Sequence, residues 1–197
     1  MVDEVIVVDS GSTDQTLVIL RELGITSIHR DFDGYGAQKR FACSLAKNQW
    51  VLSIDADEVI TDELRSELLR FQPGNDVAAY AIPRRFRFLG KTFRHGHGAV
   101  DHPIRLFDRT RAEFDEASVH ESVRVSGSTS ALIGEMIHDS YRSLEHYLIK
   151  LDRYTTLGAE ELVKRGRYRN PVVAGLLVPL YFVKYYVIWG HILNGTE

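Results

Sequence analysis

Two carboxylates one residue apart, Asp55 and Asp57, stand where the apolar run Trp50-Val51-Leu52-Ser53-Ile54 ends, and Glu58 follows at once. An open α/β sheet binds its ligands beyond the C-terminal ends of its strands. A carboxylate pair at such a place can hold a hard divalent cation together with phosphate oxygens. The chain has a second Asp-x-Asp at Asp31 and Asp33, and with 27 acidic residues in 197 the spacing alone decides nothing. Context does: Asp31 follows only the short mixed stretch Ser27-Ile28-His29-Arg30 and runs into Gly34-Tyr35-Gly36, whereas Asp55 closes a run that reads as a central strand. Neither pair keeps the third ligand, turn glycine and distal glutamate of an EF-hand.

The elements that must position these groups read as strand-helix alternations. Val5-Ile6-Val7-Val8 is a continuous apolar run of the kind found in a doubly covered parallel strand, and it delivers Asp9. Ser10-Gly11-Ser12-Thr13 makes a turn, and Ser12 with Gln15 has the form of a capping box for a helix carrying Leu17, Leu20 and Leu23, which Gly24 stops. The three-glycine dinucleotide fingerprint is missing. A second unit follows, with a strand over 25–30 and a helix over 36–47 burying Ala37, Phe41 and Leu45. The Trp50 strand and a helix over 61–71, with Thr61 as N-cap and Asp62 and Glu63 in its first turn, complete a third. Such alternation predicts a parallel sheet with right-handed crossovers. After Pro73-Gly74-Asn75, short extended pieces over 78–83, 104–107 and 118–125 predict a flanking mixed β segment.

Composition bounds the rest. With 44% hydrophobic and 26% charged residues, the chain is long enough for one sizeable core with appendages. The lone Cys43 cannot form an internal disulfide and reads as core packing in a reducing compartment. The start lacks the basic and apolar regions of a signal peptide. The net charge of -3 is unevenly spread: residues 1–76 hold 14 acids and 7 bases, while residues 84–111 hold 8 bases against Asp101 and Asp108. Arginines there, Arg84 and Arg105 among them, suit an anionic acceptor or a diphosphate, because guanidinium forks match phosphate oxygens. Nucleic acid is not expected as a partner, since the segment has no recognised binding motif and the chain is mildly acidic.

The tail is distinct. Residues 143–166 read as a helix with Leu144, Leu148, Leu151 and Tyr154 on one side, followed by Lys164, Arg165, Arg167 and Arg169. From Val172 to Leu193 the chain is mostly apolar, interrupted by Gly175, Pro179, Lys184 and Gly190. Length alone permits a spanning helix. Lys184 near its centre would cost about 2.5–3.5 kcal/mol there, and the mid-segment proline and repeated tyrosines fit interfacial helices better. A polybasic run beside an apolar segment suits anionic lipid, at about 1 kcal/mol per basic residue near the surface. A protein-buried or oligomer-forming helix is the alternative.

Taken in order, these residues carry a resemblance. Val7-Val8-Asp9-Ser10-Gly11-Ser12-Thr13-Asp14-Gln15-Thr16, Gly34-Tyr35-Gly36-Ala37-Gln38-Lys39-Arg40 and the Trp50 to Glu58 segment resemble successive motifs of family 2 glycosyltransferases. Arg105-Leu106-Phe107, Val119-His120-Glu121, His138-Asp139-Ser140-Tyr141 and the stretch from His146 to Tyr154 continue it over nearly the whole chain. The similarity is closest to bacterial lipopolysaccharide inner-core β-glucosyltransferases. It implies a GT-A, Rossmann-like α/β fold with a mostly parallel sheet, a flanking mixed β segment and C-terminal helices. It further implies transfer of a hexose, by resemblance glucose from UDP-glucose, to a lipopolysaccharide-core or similar glycolipid acceptor at the cytoplasmic face of the inner membrane. The expected domains are a transferase domain over 1–142, donor half 1–76 and acceptor half 77–142, and a membrane-associating appendage over 143–197.

The resemblance implies that Asp9 contacts the nucleoside, that Gln38 and Lys39 lie near the nucleotide, and that Asp55 and Asp57 manage ribose, diphosphate and a divalent metal. Mg²⁺ or Mn²⁺ suits carboxylate oxygens and zinc does not. An inverting transfer needs a base for the acceptor hydroxyl. Glu121, in the His-Glu motif, is the first candidate, and Asp101 is its rival. Arg84, Arg105 and His120 are expected on the acceptor side, His120 also being placed to assist metal or phosphate. His95, His97 and His138 are expected in hydrogen-bonded structure or phosphate contacts rather than as metal ligands.

Two departures bear on function. Family members begin with a further strand, which the four residues before Val5 do not supply, and Asn194 stands where the terminal signature has Asp. A catalytically impaired remnant or scaffold of the family is therefore one alternative. A haloacid-dehalogenase-type phosphatase is another, since that family also places Asp-x-Asp after an apolar strand; it needs a later Lys and a second acidic pair behind an apolar strand, and none is evident after residue 58.

Overall fold

A computed structural model describes residues 2–115, 121–141, 143–164, 166 and 170–195. In chain order the elements are β1 (Val7–Asp9), α1 (Thr16–Glu22), β2 (Ser27–His29), α2 (Tyr35–Leu45), β3 (Trp50–Leu52), β4 (Glu58–Ile60) and α3 (Asp62–Leu69). There follow β5 (Val77–Ala81), β6 (Arg84–Phe88), β7 (Lys91–Thr92), β8 (Val100–Asp101), β9 (Ile104–Asp108), β10 (Ala112–Phe114), β11 (Val123–Val125), β12 (Ser128–Ala131) and β13 (Met136–Tyr141). The C-terminal part holds α4 (Leu144–Lys164), α5 (Pro171–Phe182), a π-helical segment (Val183–Ile188) and a 3-10 turn (His191–Asn194). The fold is mixed α/β, with flanking strands and C-terminal helices as the sequence predicts.

The chain divides into two compact units, each discontinuous in sequence: Met1–Ala56, Thr61–Pro83 and His102–Glu135 form the first, and Asp57–Ile60, Arg84–Asp101 and Met136–Glu197 the second. In the first, β1 and β2 pair in parallel, and a four-stranded sheet runs β12-β5-β9-β3. Within it β12 and β5 are parallel, while β9 is antiparallel to both β5 and β3. The core gathers Ala79, Phe107, Ala112 and Phe114, with Cys43 and Val51 packed against it. Cys43 thus does pack against the core, and burial pushes its thiol up to about 11, which keeps it protonated and inert at neutral pH.

Local chemistry explains the boundaries. Thr61 caps α3 as predicted, its Oγ1 accepting from the Leu64 N–H at 3.3 Å. The capping box expected at Ser12 does not form. The N-cap of α1 is Gln15, and Ser12 turns back to donate its N–H and hydroxyl to Asp9. The Asp9 carboxylate, three residues before Ser12, is a stronger acceptor than the N–H groups of the helix start are donors in need of a cap. Gly24, at φ +70°, ends α1 with the Ile25 N–H bonded to the Leu20 carbonyl at 2.9 Å, a left-handed stop that a side chain would strain. The run read as a five-residue strand ladders only over Trp50–Leu52, and Ser53 extends it with one bond to the Arg105 carbonyl at 2.8 Å.

In the second unit the sheet order is β4-β13-β6-β7, with β8 also paired to β6. The leucine side of α4 stays exposed, with Leu144 at 56% and Leu148 at 52%. The helix docks instead through Tyr147, whose ring meets Phe88 at 5.3 Å and Tyr141 at 5.2 Å between centroids. Among the described residues no helix is long and apolar enough to cross a membrane. Arg165, Arg167, Arg169, Ser118 and Val119 and the side chain of Tyr154 lie outside the described residues.

Candidate functional site

The first unit brings four predicted site residues together. β3 ends just before Asp55, β9 carries Arg105, α2 carries Lys39, and Glu121 precedes β11. Because β9 runs antiparallel to β3, with Leu52 opposite Leu106, Arg105 falls beside the segment leaving β3. Its Nη2 lies 2.5 Å from Asp55 Oδ2. Lys39 Nζ lies 2.6 Å from Asp55 Oδ1 and 2.6 Å from Glu121 Oε1. The Lys39 ammonium also sits 5.5 Å from the centroid of the Phe114 ring, which walls the group on one side. Arg105 is buried, at 4% exposure. It was expected on the acceptor side; in this structure it is a partner of Asp55. Two carboxylates and two fixed cations thus form a partly buried, charge-balanced cluster.

Asp9 and Gln38 are close in the same unit. Asp9 is 8% exposed and accepts the Gly11 N–H at 2.8 Å and the Ser12 N–H at 3.0 Å. The Ser12 hydroxyl bond first, then these backbone donors, hold its carboxyl below the usual aspartate range. Gly11 supports the turn at φ +97°. Gln38 Nε2 donates to Ser10 Oγ at 2.8 Å, joining α2 to that turn. Its Oε1 is buried without a hydrogen-bond partner among the described residues, an acceptor that a ligand N–H or water must satisfy.

The second unit holds Asp57, Arg84 and Asp101. Asp57 Oδ2 is 3.3 Å from His138 Nε2, and that ring nitrogen is 2.8 Å from Ser140 Oγ. The His138 hydrogen bond lowers the Asp57 pKa despite partial burial. His138 is therefore in hydrogen-bonded structure, as expected. Arg84 forks onto Asp101 at 2.9 and 2.6 Å and reaches Glu58 Oε1 at 2.8 Å. Glu58 has a fully buried side chain, and a charge buried so needs a partner such as this guanidinium. Burial works against the Arg84 charge, but the hydrogen bonds to Asp101 and then Glu58 outweigh it and raise its pKa. The rival base Asp101 is thus held in an arginine fork. His120 lies outside the described residues. The second Asp-x-Asp stays at the surface, with Arg30 on Asp33 at 2.6 Å and His29 on Asp31 at 3.2 Å.

For a divalent cation the donor chemistry fits. Asp55 and Asp57 offer hard carboxylate oxygens of the kind such a cation takes. Among the described residues no group of three His, Cys, Asp or Glu side chains converges as a metal site. Mg²⁺ commonly takes one or two carboxylates and completes its shell with substrate phosphates and water.

Sequence reasoning missed the pairings rather than the residues. Glu58 was noted only as a neighbour of Asp57, and Ser140 only as part of a motif; their partners Arg84 and His138 lie 26 residues and 2 residues away. The unread signal was strand alternation: in β4 Glu58 is buried while Val59 is exposed.

The comparisons now fix the class. The family model for glycosyl transferase family 2 matches residues 1–131. An uncharacterised glycosyltransferase of Rickettsia typhi is 33% identical over 205 residues, covering 95% of this chain and 70% of that protein. The lipopolysaccharide core biosynthesis glycosyltransferase LpsC of Rhizobium meliloti is 27% identical over 203 residues, covering 98% of this chain and 75% of that protein. The chain belongs to glycosyl transferase family 2, with a mixed α/β fold of the GT-A type, and is a glycosyltransferase. Members of that family move a sugar from a nucleotide-sugar donor to an acceptor and generally work with a divalent metal.

Proposed function

We propose that this chain transfers a hexose, glucose from UDP-glucose, to a lipopolysaccharide-core or similar glycolipid acceptor, with inversion and with Mg²⁺ or Mn²⁺, while peripheral on the cytoplasmic face of the inner membrane. The observation that carries the reading is the cluster of Asp55, Lys39, Arg105 and Glu121. The similarity to a lipopolysaccharide core glycosyltransferase supports the acceptor class. Residues 1–76 serve the donor, 77–142 the acceptor, and 143–197 the membrane.

In this reading Asp9 and Gln38 meet the nucleoside, the unsatisfied Gln38 Oε1 accepting an N–H of the base. Lys39 meets the diphosphate as it leaves its carboxylate partners. Arg105 holds Asp55 in place. Asp55 and Asp57 would hold a divalent cation, which would offset the charge of a departing diphosphate, more in the transition state than in the ground state. Glu121 takes the proton from the acceptor hydroxyl as that oxygen bonds to the anomeric carbon, and the nucleoside diphosphate departs on the opposite side. Asp101 is the second candidate for that proton, and Arg84 and His120 are assigned to the acceptor.

The test is hydrolysis and transfer with a panel of nucleotide sugars, with and without Mn²⁺. Metal-dependent turnover of one donor is expected. Silence toward every donor by folded protein favours the remnant. Phosphatase activity that survives Asp57→Ala but not Asp55→Ala favours the dehalogenase reading.

A further inference from the structure

We infer that α5 and the segment after it, together with the connection between β6 and β8, form one docking surface for an anionic lipid bilayer. The inference rests on the membrane-face reading above and deepens it by naming the surface. Both parts belong to the second unit.

The first argument is exposure. Val172, Val173, Leu176, Val178, Tyr181 and Phe182 are 45–68% exposed, and their positions spread round α5. A helix apolar on every face does not rest in water; it lies in a protein core or in lipid. α5 runs straight on into the π-helical segment, so Pro171–Ile188 spans about 27 Å at most at 1.5 Å per residue, short of the bilayer's apolar thickness of about 30 Å, and it is not long and apolar enough to cross. Such a segment fits the headgroup boundary rather than a crossing. Tyr181, Tyr185 and Trp189 follow, with ring centroids 6.2 and 4.3 Å apart in sequence, and amphipathic rings of this kind favour that boundary. The Lys184 ammonium is 4.6 Å from the Trp189 ring, so the one charge within the segment lies beside the aromatic group suited to the interface.

The second argument is charge. From Leu162 to Thr196 the sequence has five Lys or Arg and no Asp or Glu, and from Arg85 to Val100 it has another four and none. The structure joins these two acid-free stretches. Asn194 accepts the N–H groups of Arg94 and His95 at 2.9 and 3.0 Å and donates to the His95 carbonyl at 2.7 Å. The His97 ring packs against Trp189 with centroids 4.2 Å apart and planes tilted by 39°. Gly96 is required there, because a Cβ would meet the His191 ring at 2.7 Å. Arg94 and Lys184 are exposed on the resulting surface. Apolar side chains with basic groups and no acid among them match a bilayer carrying negative headgroups.

The test is co-sedimentation of the full chain with vesicles of phosphatidylcholine alone or mixed with phosphatidylglycerol. Binding to the mixed vesicles is expected, weakening with salt. Lys184→Glu should lower the partition by roughly fivefold or more. Leu176→Asp and Ile188→Asp, both at exposed positions, should abolish it while circular dichroism and Tm stay unchanged. Equal partition into the neutral vesicles overturns the inference. So does absence of vesicle binding with a dimer in solution that Ile188→Asp dissociates. Donor turnover in detergent is measured beside it: turnover without vesicle binding overturns the docking surface and leaves the transferase standing, whereas vesicle binding without turnover does the reverse.

Discussion

Lys39 Nζ lies 2.6 Å from Glu121 Oε1, across 82 residues of sequence, and the same ammonium lies 2.6 Å from Asp55 Oδ1. One cation serves two carboxylates that the proposed reaction uses differently. A diphosphate that draws Lys39 toward itself loosens its hold on Glu121, so that donor arrival and exposure of the base coincide.

Glu121→Gln keeps the shape and removes the proton acceptor. Transfer should slow by about 10²–10⁴-fold with donor affinity near that of the parent, measured by steady-state kinetics and by donor titration. Turnover like the parent's would reassign the base.

Asp57→Asn removes one anionic oxygen of the proposed cation site and weakens the contact with His138. Calorimetric titration should show that the Mn²⁺-dependent part of donor binding disappears. Equal donor affinity in the presence of Mn²⁺ would reject Asp57 as a ligand.

Arg105→Ala leaves Asp55 with Lys39 as its remaining partner from this cluster, in a site where Arg105 itself was 4% exposed. Asp55 keeps a quarter of its surface in water, which moderates the loss. A destabilisation of about 2 kcal/mol is expected, read from the denaturant midpoint. Arg105→Lys should recover only part, since a single ammonium cannot reproduce the guanidinium geometry.

Asp9 and Asp108 both titrate below the ordinary aspartate value of 3.8. For Asp9 the Ser12 hydroxyl is the chief cause; for Asp108 burial pushes upward, but bonds from Thr110 and then Gln49 outweigh it. Each binds its proton less readily folded than unfolded. Their stabilisation is therefore fully present above the ordinary value and lost as pH falls through the folded one. Unfolding midpoints compared at neutral pH and near pH 3 should fall less for Asp9→Asn than for the parent.

Gly134 packs on α3. A Cβ added there would stand 2.4 Å from Leu64 Cα and 2.6 Å from Leu64 N, and Leu64 is fully buried. Backbone cannot yield as a flexible side chain does, so Gly134→Ala should cost about 3 kcal/mol. A Tm equal to the parent's would contradict this packing.

Much of the fold was legible because its signals are local. Thr61 ahead of Asp62 and Glu63 announced α3, Gly24 announced the end of α1, and Cys43 on a small-residue face announced core packing. Ser12 misled because a hydroxyl three residues ahead of Gln15 can serve either the helix or a nearby carboxylate, and only the folded turn shows that Asp9 wins. The site residues were legible as types at the ends of strands. Their pairings were not: Arg105 with Asp55 and Lys39 with Glu121 arise from the antiparallel register of β9 on β3 and from the placing of α2, and neither register nor helix packing is written in a short motif.

The chain's two tryptophans sit in unlike surroundings. Trp50 is wedged among Phe71 and Tyr80, with centroids 5.5 and 5.9 Å away, while Trp189 lies between Lys184 and His97. Their emission therefore offers two built-in optical reporters, one in each unit: replacing Trp50 by phenylalanine leaves a lone fluorophore at the C-terminal segment, and replacing Trp189 leaves one that watches the sheet melt.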